Sequence, residues 1–343
     1  MSDYQLRDFD YHLPQALIAQ EPLEQRDSSR MLILSRQDHS IRHDRFINFA
    51  SYLKCGDLLV LNNTKVIPAR LNGTIEQSGT SAEILLINRL ANGNWEAMVK
   101  PGRKLKAGAR VTFDFGVRAV VEGIAADGLR EISFSAKEAF EMILPRLGKV
   151  PLPPYIKREV KNPEQYQTIY ARVAGSAAAP TAGFHFTDQV FAELENRGIQ
   201  KAFITLHIGP GTFQPVKAED IREHQMHHEY YRISNETATL LNSARTEGRR
   251  IIAVGTTVCR VLETLAAEGN QFAESEGWTE LYIYPGFKFK AVEAMLTNFH
   301  LPRSSLLMLV SALAGREFVL NAYHEAVEQR YRFFSFGDCM FII

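Results

Sequence analysis

The chain has 343 residues, enough for one large domain or two ordinary ones with a hydrophobic core that needs no covalent staples. Its formal net charge is zero, so any binding to nucleic acid must come from a local basic patch. Three isolated cysteines without a CxxC pair exclude a disulfide framework and favour reduced thiols. The longest apolar run, residues 306–314, is too short to span a bilayer, and the first residues carry no basic or apolar leader. We therefore expect a cytoplasmic protein without a membrane partner.

Residues 1–30 are irregular and end in the motif RDSSR, just before a predicted strand over residues 31–34. Guanidinium groups bind carboxylates and phosphates through paired N–H donors, so Arg26 and Arg30 are candidates for holding an anion. A surface Arg–Asp pair explains the same residues equally well.

Residues 57–150 differ from the rest of the chain in their pattern of short strands and turns. Turn signals such as Asn72-Gly73 and Asn92-Gly93 separate short alternating runs at 58–61, 82–87, 95–99, 110–115, 119–123 and 131–134. Many short strands at this spacing predict an antiparallel sandwich or a small barrel.

One stretch of this region is strongly basic. The sequence KPGRKLKAGAR has no acidic residue and five basic ones, namely Lys100, Arg103, Lys104, Lys106 and Arg110. The cluster fits a footprint for nucleic-acid phosphates. A solvated hairpin tip is the more common outcome for such a run of charge.

After a stiff, proline-rich connector at 151–156, helical and strand patterns alternate to the C-terminus. Residues 175–187 read GSAAAPTAGFHFT, nearly all small, with Ser176, Thr181 and His185 among the polar side chains. This composition fits a loop that holds a ligand through its main chain, and equally a tight packing corner.

Thr187 predicts the start of a helix that stops at Gly198, and a strand follows into the turn Gly209-Pro210-Gly211-Thr212. This order predicts an α/β unit, and such units bind ligands beyond the carboxyl ends of their strands. His185 and His207 both lie next to that edge, and the glycine-rich turn adds Gly209 and Thr212 as candidate contacts.

Residues 250–254 form another apolar strand pattern, which breaks at Gly255 before a predicted helix. Backbone N–H groups and the hydroxyls of Thr256 and Thr257 at a positive helix end suit an anion. A further strand is predicted over 280–284. Asn298 and His300 then lie in a polar turn before a helix that begins at Ser304. The sequence contains no GxGxxG and no GxxxxGK[ST], which weakens dinucleotide and P-loop interpretations.

Four segments place a histidine beside a predicted turn: those of His185, His207 and His300, and the run HQMHHE at 224–229. That run lacks the HExxH pattern, and a strand puts His227 and His228 on opposite faces, so we expect no metal. We expect instead that one histidine and Glu229 line a pocket, with the carboxylate available to a cation or an amine. A hydrogen-bonded structural histidine is the alternative in each case.

These motifs together resemble the S-adenosylmethionine:tRNA ribosyltransferase-isomerases of queuosine biosynthesis, essentially from end to end. The resemblance rests on RDSSR at 26–30, GDLLVLNNTKVIPARL at 56–71, PLPPYI at 151–156, YQTIYA at 166–171, GSAAAPTAGFHFT at 175–187, LHIGPGTFQPV at 206–216, HHEYY at 227–231, AVGTT at 253–257 and TNFHLPRSSLLMLVSALAG at 297–315. In the family pattern, valine is usual where Ala177 stands and leucine where Phe184 stands. Both changes keep an apolar side chain.

The resemblance implies an α/β main domain interrupted by a small antiparallel β-barrel domain. The change in the pattern of strands and turns places the main domain at 1–56 and 151–343 and the barrel at 57–150. Enzymes of this family transfer and isomerise the ribosyl group of S-adenosylmethionine onto the 7-aminomethyl-7-deazaguanine wobble base of tRNA. The products are epoxyqueuosine in tRNA, adenine and methionine. S-adenosylmethionine is then a co-substrate, no other cofactor is expected, and a monomer is expected.

This chemistry assigns roles to the candidate residues. A base removes a proton from the 5′ carbon beside the sulfonium, an acid protonates the leaving adenine, and a base keeps the acceptor amine neutral. We expect His185 or His207 to be the general base. Glu229 is expected to bind the acceptor amine or the sulfonium.

The remaining candidates are expected to bind substrate. Arg26 or Arg30, with Thr256 and Thr257, would hold the methionine carboxylate or a tRNA phosphate. Further substrate contacts are expected from Ser176, Thr181, Gly209, Thr212, His227, Asn298 and His300, and tRNA contacts from Lys100, Arg103, Lys104, Lys106 and Arg110.

Two other classes of protein stay open. An RNA methyltransferase using the same donor would show a glycine-rich turn after an early strand, which the first strand region lacks. A non-catalytic RNA-binding protein would not need so many polar turns in one α/β domain.

Overall fold

The computed structural model describes residues 4–125, 128–158, 162–209, 216–269 and 271–343, and the elements below belong to those residues. The strands are β1 Arg30–Leu34, β2 Ile41–Arg45, β3 Leu58–Asn62, β4 Thr64–Val66, β5 Arg70–Ile75, β6 Ser81–Arg89, β7 Trp95–Lys100, β8 Arg110–Thr112, β9 Arg118–Ile124, β10 Arg130–Ser135, β11 Val173–Ser176, β12 Gln200–Leu206, β13 Glu229–Ile233, β14 Ile251–Val254, β15 Ser275–Thr279, β16 Ala294–Asn298 and β17 Cys339–Ile342. The helices are α1 Phe140–Leu147, α2 Asp188–Asn196, α3 Asn235–Thr246, α4 Thr256–Glu268, α5 Ser305–Ala314 and α6 Arg316–Glu328.

Nine strands form one mixed sheet in the order β15-β13-β12-β3-β14-β16-β17-β1-β2. Its four central strands, β12, β3, β14 and β16, are parallel neighbours, so their carboxyl ends lie along one edge. β3 reads LLVLN and β14 reads IIAV, and both are buried at every position. Continuous apolar runs of this kind are typical of parallel strands covered on both faces.

The two faces of the sheet carry separate hydrophobic cores. Leu58 and Val60 of β3 face the core that contains α3, α4, α5 and α6. Leu59 and Leu61 point the other way, to α2 and to the phenylalanines of residues 46–52. The alternation follows from the two-residue period of a strand. The sheet is therefore a rigid middle layer, and its carboxyl edge is held from both sides.

Six strands close into an antiparallel barrel in the order β10-β7-β6-β5-β8-β9. Leu71, Ile84 and Val111 belong to its own core, against which α1 packs. The predicted fold class, an α/β main domain interrupted by a small β-barrel, is confirmed. β3 lies inside the predicted barrel span of 57–150 but pairs in the large sheet, between β12 and β14. Barrel pairing begins at β5 because the uniformly buried β3 is a central strand of the main domain.

The strand predicted over 280–284 is wrong. β15 ends at Thr279 and pairs with β13, whereas residues 280–284 have no strand pairing. Ile283 is buried in the core and Leu281 packs against that core. The alternating apolar residues thus reflect side-chain contact with the core and not a backbone partner.

Over the described ranges, no single helix combines the length and the apolar character needed to cross a membrane. Only α5 and α6 taken together, with a bend of 115° between them, meet the length and composition criteria.

Candidate active site

Residues 175–187 connect the carboxyl ends of the central strands. Ala178 pairs with Ile208 just after β12, and the Thr181 hydroxyl donates to Asn298 Oδ1 at the end of β16 at 2.9 Å. Ser176 is fully buried; its hydroxyl donates to the Ala178 carbonyl at 2.6 Å and accepts the N–H of Ile208 at 2.8 Å. Ser176 therefore fixes the loop to the strand end. Thr181, unlike Ser176, lines a cleft that is open to a ligand.

The helix start predicted after this loop is confirmed. Thr187 Oγ1 accepts the N–H of Val190 at 3.3 Å and so caps α2. The same hydroxyl donates to Asp27 at 2.7 Å, which ties the loop to the RDSSR motif. A capping side chain of this type stabilises a helix by about 1 kcal/mol.

A cleft of about 80 Å³ lies where this loop passes the ends of β14 and β16. Five predicted substrate contacts meet in it: Thr181, Thr256, Thr257, Asn298 and His300. α4 begins at this cleft, and its first turn presents backbone N–H groups and a positive partial charge. Pockets for drug-sized ligands measure roughly 300–1,000 Å³, so the cleft fits only a terminal group such as a carboxylate.

His185 lies against the cleft wall and is 3% exposed. Asn298 Nδ2 is 3.3 Å from its Nε2, and Ser29 Oγ is 2.7 Å from its Nδ1. Burial, reinforced by the charge of Arg26, lowers the pKa of His185 to about 3. The ring is therefore neutral, and both of its nitrogens are engaged by protein groups.

His300 is fixed in a similar way. The ring nitrogen Nε2 of His300 lies 3.0 Å from Thr297 Oγ1. Its backbone N–H donates to the Tyr323 hydroxyl at 3.0 Å, and its backbone carbonyl accepts from the Tyr11 hydroxyl at 2.5 Å. Burial lowers the pKa of this imidazole to about 3. His300 thus shapes the cleft as a neutral side chain.

A much larger cavity, about 1470 Å³, lies between the barrel and the main domain. The barrel contributes Trp95 and Arg89 to its lining, and the main domain contributes His207, Tyr230 and Trp278. This volume exceeds what a drug-sized ligand requires. The cavity therefore has room for a nucleoside-sized donor together with a nucleobase.

His207 is the predicted histidine that faces this cavity. Its Nδ1 lies 2.7 Å from Thr64 Oγ1, and its ring stacks on Tyr230 with centroids 5.8 Å apart. No described residue is hydrogen-bonded to its Nε2, which lies against Gly175: a Cβ at that glycine would be 2.6 Å away. Burial lowers the pKa of His207 to about 4, so the imidazole is unprotonated at neutral pH.

His185 and His207 do not share a cavity. His185 contacts Asn298 at the end of β16, whereas His207 follows β12. These strands are three positions apart in the sheet order, roughly 14 Å at about 4.8 Å per strand. Both histidines were predicted next to the same edge of the sheet, but β3 and β14 lie between β12 and β16 and hold the two imidazoles apart.

Glu229 is held by a partner that sequence reasoning missed. It forms an ion pair with Arg260 of α4, and each side chain is 3% exposed. The other carboxylate oxygen accepts the N–H of Gly209 at 3.2 Å. The only sequence signal for this pair is a charged residue in a helix segment whose neighbours, Cys259 and Val261 among them, are apolar.

The arginines of the RDSSR motif bind backbone carbonyls. Arg26 donates to the carbonyls of Gln167 at 2.7 Å and Gln165 at 2.9 Å. Arg30 donates to the carbonyl of Gln329 at 2.6 Å and stacks on Tyr331, with its guanidinium carbon 3.7 Å from the ring centroid. Neither arginine lines the small cleft or the large cavity.

The predicted RNA-binding run lies at the other end of the barrel. Trp95, at one end of β7, lines the large cavity, whereas Lys100 ends that strand five residues later. At about 3.3 Å per residue, this separates the basic run from the cavity by roughly 17 Å. Arg130 donates to the carbonyls of Leu105 and Gly102 at 2.7 and 2.9 Å and so holds the loop in place.

His227, a further predicted contact, lines neither the small cleft nor the large cavity. His227 is exposed in the segment before β13, and Thr212 lies outside the described residues. Within the described part of the chain, no group of three or more histidine, cysteine, aspartate or glutamate side chains is arranged to hold a metal ion.

The fold and the site define a two-domain α/β protein with a ligand-sized cavity at the junction of its domains. The model of the family described as "Queuosine biosynthesis protein" matches residues 6–342, and the chain belongs to this family. The resemblance seen in the sequence motifs is thereby confirmed.

Relatives support the same assignment. A protein named S-adenosylmethionine:tRNA ribosyltransferase-isomerase from Carboxydothermus hydrogenoformans is 57% identical over 338 residues, covering 98% of this chain and 99% of that protein. One of the same name from Acetivibrio thermocellus is 53% identical over 336 residues, covering 98% of both. A crystal structure of S-adenosylmethionine tRNA ribosyltransferase from Thermotoga maritima is 42% identical, with a TM-score of 0.57, and covers 98% of this chain and 100% of that one.

Proposed function

We propose that this protein is an S-adenosylmethionine:tRNA ribosyltransferase-isomerase. It transfers the ribosyl group of S-adenosylmethionine to tRNA and isomerises it, and adenine and methionine are released. Its family and the names of its relatives support this activity and do not favour the methyltransferase alternative. We further propose that the acceptor is the 7-aminomethyl-7-deazaguanine wobble base and the product epoxyqueuosine.

The placement of His207 is the observation that carries the proposed mechanism. The reaction needs a base beside the 5′ carbon of the donor, whose hydrogens the adjacent sulfonium acidifies. His207 is unprotonated at neutral pH, and its Nδ1 is oriented by Thr64. Its ring lines a cavity with room for both substrates. We therefore assign the general base to His207 and a structural role to His185, whose nitrogens are both occupied.

The small cleft provides a site for one end of the donor. Ile208 lines this cleft, and its neighbour His207 lines the large cavity, so the two openings adjoin along the chain. The N-terminus of α4 and the hydroxyls of Thr256 and Thr257 suit a carboxylate. We propose that the methionine carboxylate binds there, with the ribose and sulfonium directed to His207.

Mass spectrometry of reacted tRNA tests the proposed function. Purified protein is incubated with S-adenosylmethionine and tRNA that carries the aminomethyl base, and the digested nucleosides are compared with those of a guanine-containing control tRNA. We expect an epoxy-cyclopentyl adduct and one adenine released per modified base. A methyl increment identifies a methyltransferase instead, and an unchanged nucleoside identifies a binding protein; either result refutes the proposal.

A further inference from the structure

A second groove, about 600 Å³, lies beside the large cavity on the main domain. His207 and Tyr230 line both openings and form the wall between them. The groove also contains Arg172 and Arg232, and among the described residues of its lining Glu236 is the one acidic side chain. This groove was not among the predicted contacts, because residues from β11, β12 and β13 form it only after the sheet assembles.

The two-stranded ribbon of β4 and β11 contributes residues to both openings. In its register Val173 pairs with Thr64 and Ala174 with Lys65. Thr64 hydrogen-bonds His207, whereas Lys65 lines the large cavity and Arg172, which directly precedes β11, lines the groove. Cationic side chains therefore lie on both sides of the proposed base.

These three cations are not neutralised by ion pairs in the ranges that the structure describes. Lys65, Arg172 and Arg232 are exposed, and none of them forms an ion pair with a carboxylate of the described residues. Two other basic residues of these linings do form ion pairs: Lys201 with Glu195 at 2.5 Å, and Arg89 with Glu141 at 2.8 Å. Because the chain has no net charge, unpaired cations around one opening are the local patch that an RNA backbone requires.

An exposed aromatic side chain completes the surface. Trp278 on β15 is 49% exposed and pairs in register with Tyr230 on β13. Arg232 lies two residues after Tyr230 and shares its face of the sheet, opposite Glu276, which accepts a hydrogen bond from the Tyr230 hydroxyl at 2.7 Å. Stacking of a base on an exposed aromatic ring beside cations is how proteins bind unpaired nucleotides.

We propose that this surface binds the unpaired nucleotides of the anticodon loop that flank the target base. Lys65, Arg172 and Arg232 bind their phosphates, and Trp278 stacks on a neighbouring base. This site deepens the proposed function, on which it rests, and replaces the distal run of residues 100–110 as the main contact with RNA.

Equilibrium binding of tRNA at several salt concentrations tests the assignment. The variant K65Q/R172Q/R232Q is expected to bind tRNA at least tenfold more weakly, with a salt slope shallower by roughly 2, since each phosphate contact in single strands contributes about 0.7. The matched control K104Q/K106Q/R110Q removes the same charge from the distal loop and is expected to keep the wild-type slope. A wild-type slope in the first variant, or a slope lost only in the control, overturns the proposal.

Trp278 is tested separately from charge. W278A is expected to weaken binding by roughly 5- to 150-fold without changing the salt slope, and W278F to restore part of the loss. Wild-type affinity of W278A contradicts the stacking role.

Turnover separates this proposal from the proposed function. For the triple charge variant we expect a raised KM for tRNA with kcat unchanged, because the variant removes binding and not the base. If the wild-type protein releases no adenine, the proposed function fails, while the binding data still decide whether this surface holds RNA.

Discussion

The buried ion pair of Glu229 and Arg260 allows a sharp prediction about stability. In the variant E229L, the guanidinium of Arg260 loses its carboxylate partner. It cannot turn to solvent instead, because its side chain is only 3% exposed. Removing one partner of such a pair costs about 3–5 kcal/mol. At about 2–4 °C per kcal/mol for a domain of this size, we expect the melting temperature to fall by roughly 6–20 °C.

Circular dichroism melts and urea unfolding measure this loss. The double variant E229L/R260M replaces both charges with apolar groups and is expected to recover most of it, because no unpaired charge remains. E193Q is the surface control: it breaks the exposed pair of Glu193 and Arg197 on α2 and should cost no more than about 0.5 kcal/mol. If E229L keeps wild-type stability but loses adenine release, Glu229 binds substrate and the structural interpretation is refuted.

Two further predictions follow from the histidines. G175A is expected to slow adenine release at least tenfold, because the added Cβ would lie 2.6 Å from His207 Nε2. The control G123A adds a Cβ that meets nothing within 4 Å and is expected to turn over at the wild-type rate. Equal rates for the two variants would show that the position of the His207 ring is not critical. Unfolding titrations should show stability falling as pH drops from about 6.5 towards 3, by about 1.4 kcal/mol per pH unit for each of His185 and His300. Burial lowers the pKa of both histidines to about 3, so the unfolded chain takes up these two protons at a higher pH than the folded protein does. H300Q should remove the contribution of His300 to the dependence of stability on pH. An unchanged pH dependence in H300Q would contradict the assignment.

The sequence predicted those helix starts and strand ends that depend only on neighbouring residues in the chain. The start of α2 at Thr187, the start of α5 after Ser304 and the break between β14 and α4 at Gly255 all agree with the structure. Four of the five predicted contacts that line the small cleft, all but Thr181, were also predictable as neighbours. Each of the four follows or ends β14 or β16, and the carboxyl ends of parallel strands meet at one edge. Thr181 follows β11 of the two-stranded sheet and reaches the cleft only through the fold.

Partners that lie far apart in the sequence were not predictable in this way. RDSSR carries two arginines that suit anions, yet Arg26 binds carbonyls about 140 residues away. His185 and His207 both follow the correct edge, but the strand order that separates them depends on β3 and β14 lying between β12 and β16. The large cavity exists only because the barrel docks beside the main domain, which brings Trp95 towards Trp278.

The rate of adenine release by histidine variants tests the central claim most directly. In single-turnover reactions with saturating donor and aminomethyl-modified tRNA, H207Q is expected to be at least about 100-fold slower than wild type, since general bases contribute roughly 10²–10⁴. Its melting temperature should stay close to that of the wild type. H185Q is expected to lose stability but to keep its turnover per folded molecule within about tenfold. Wild-type turnover by H207Q would contradict the account.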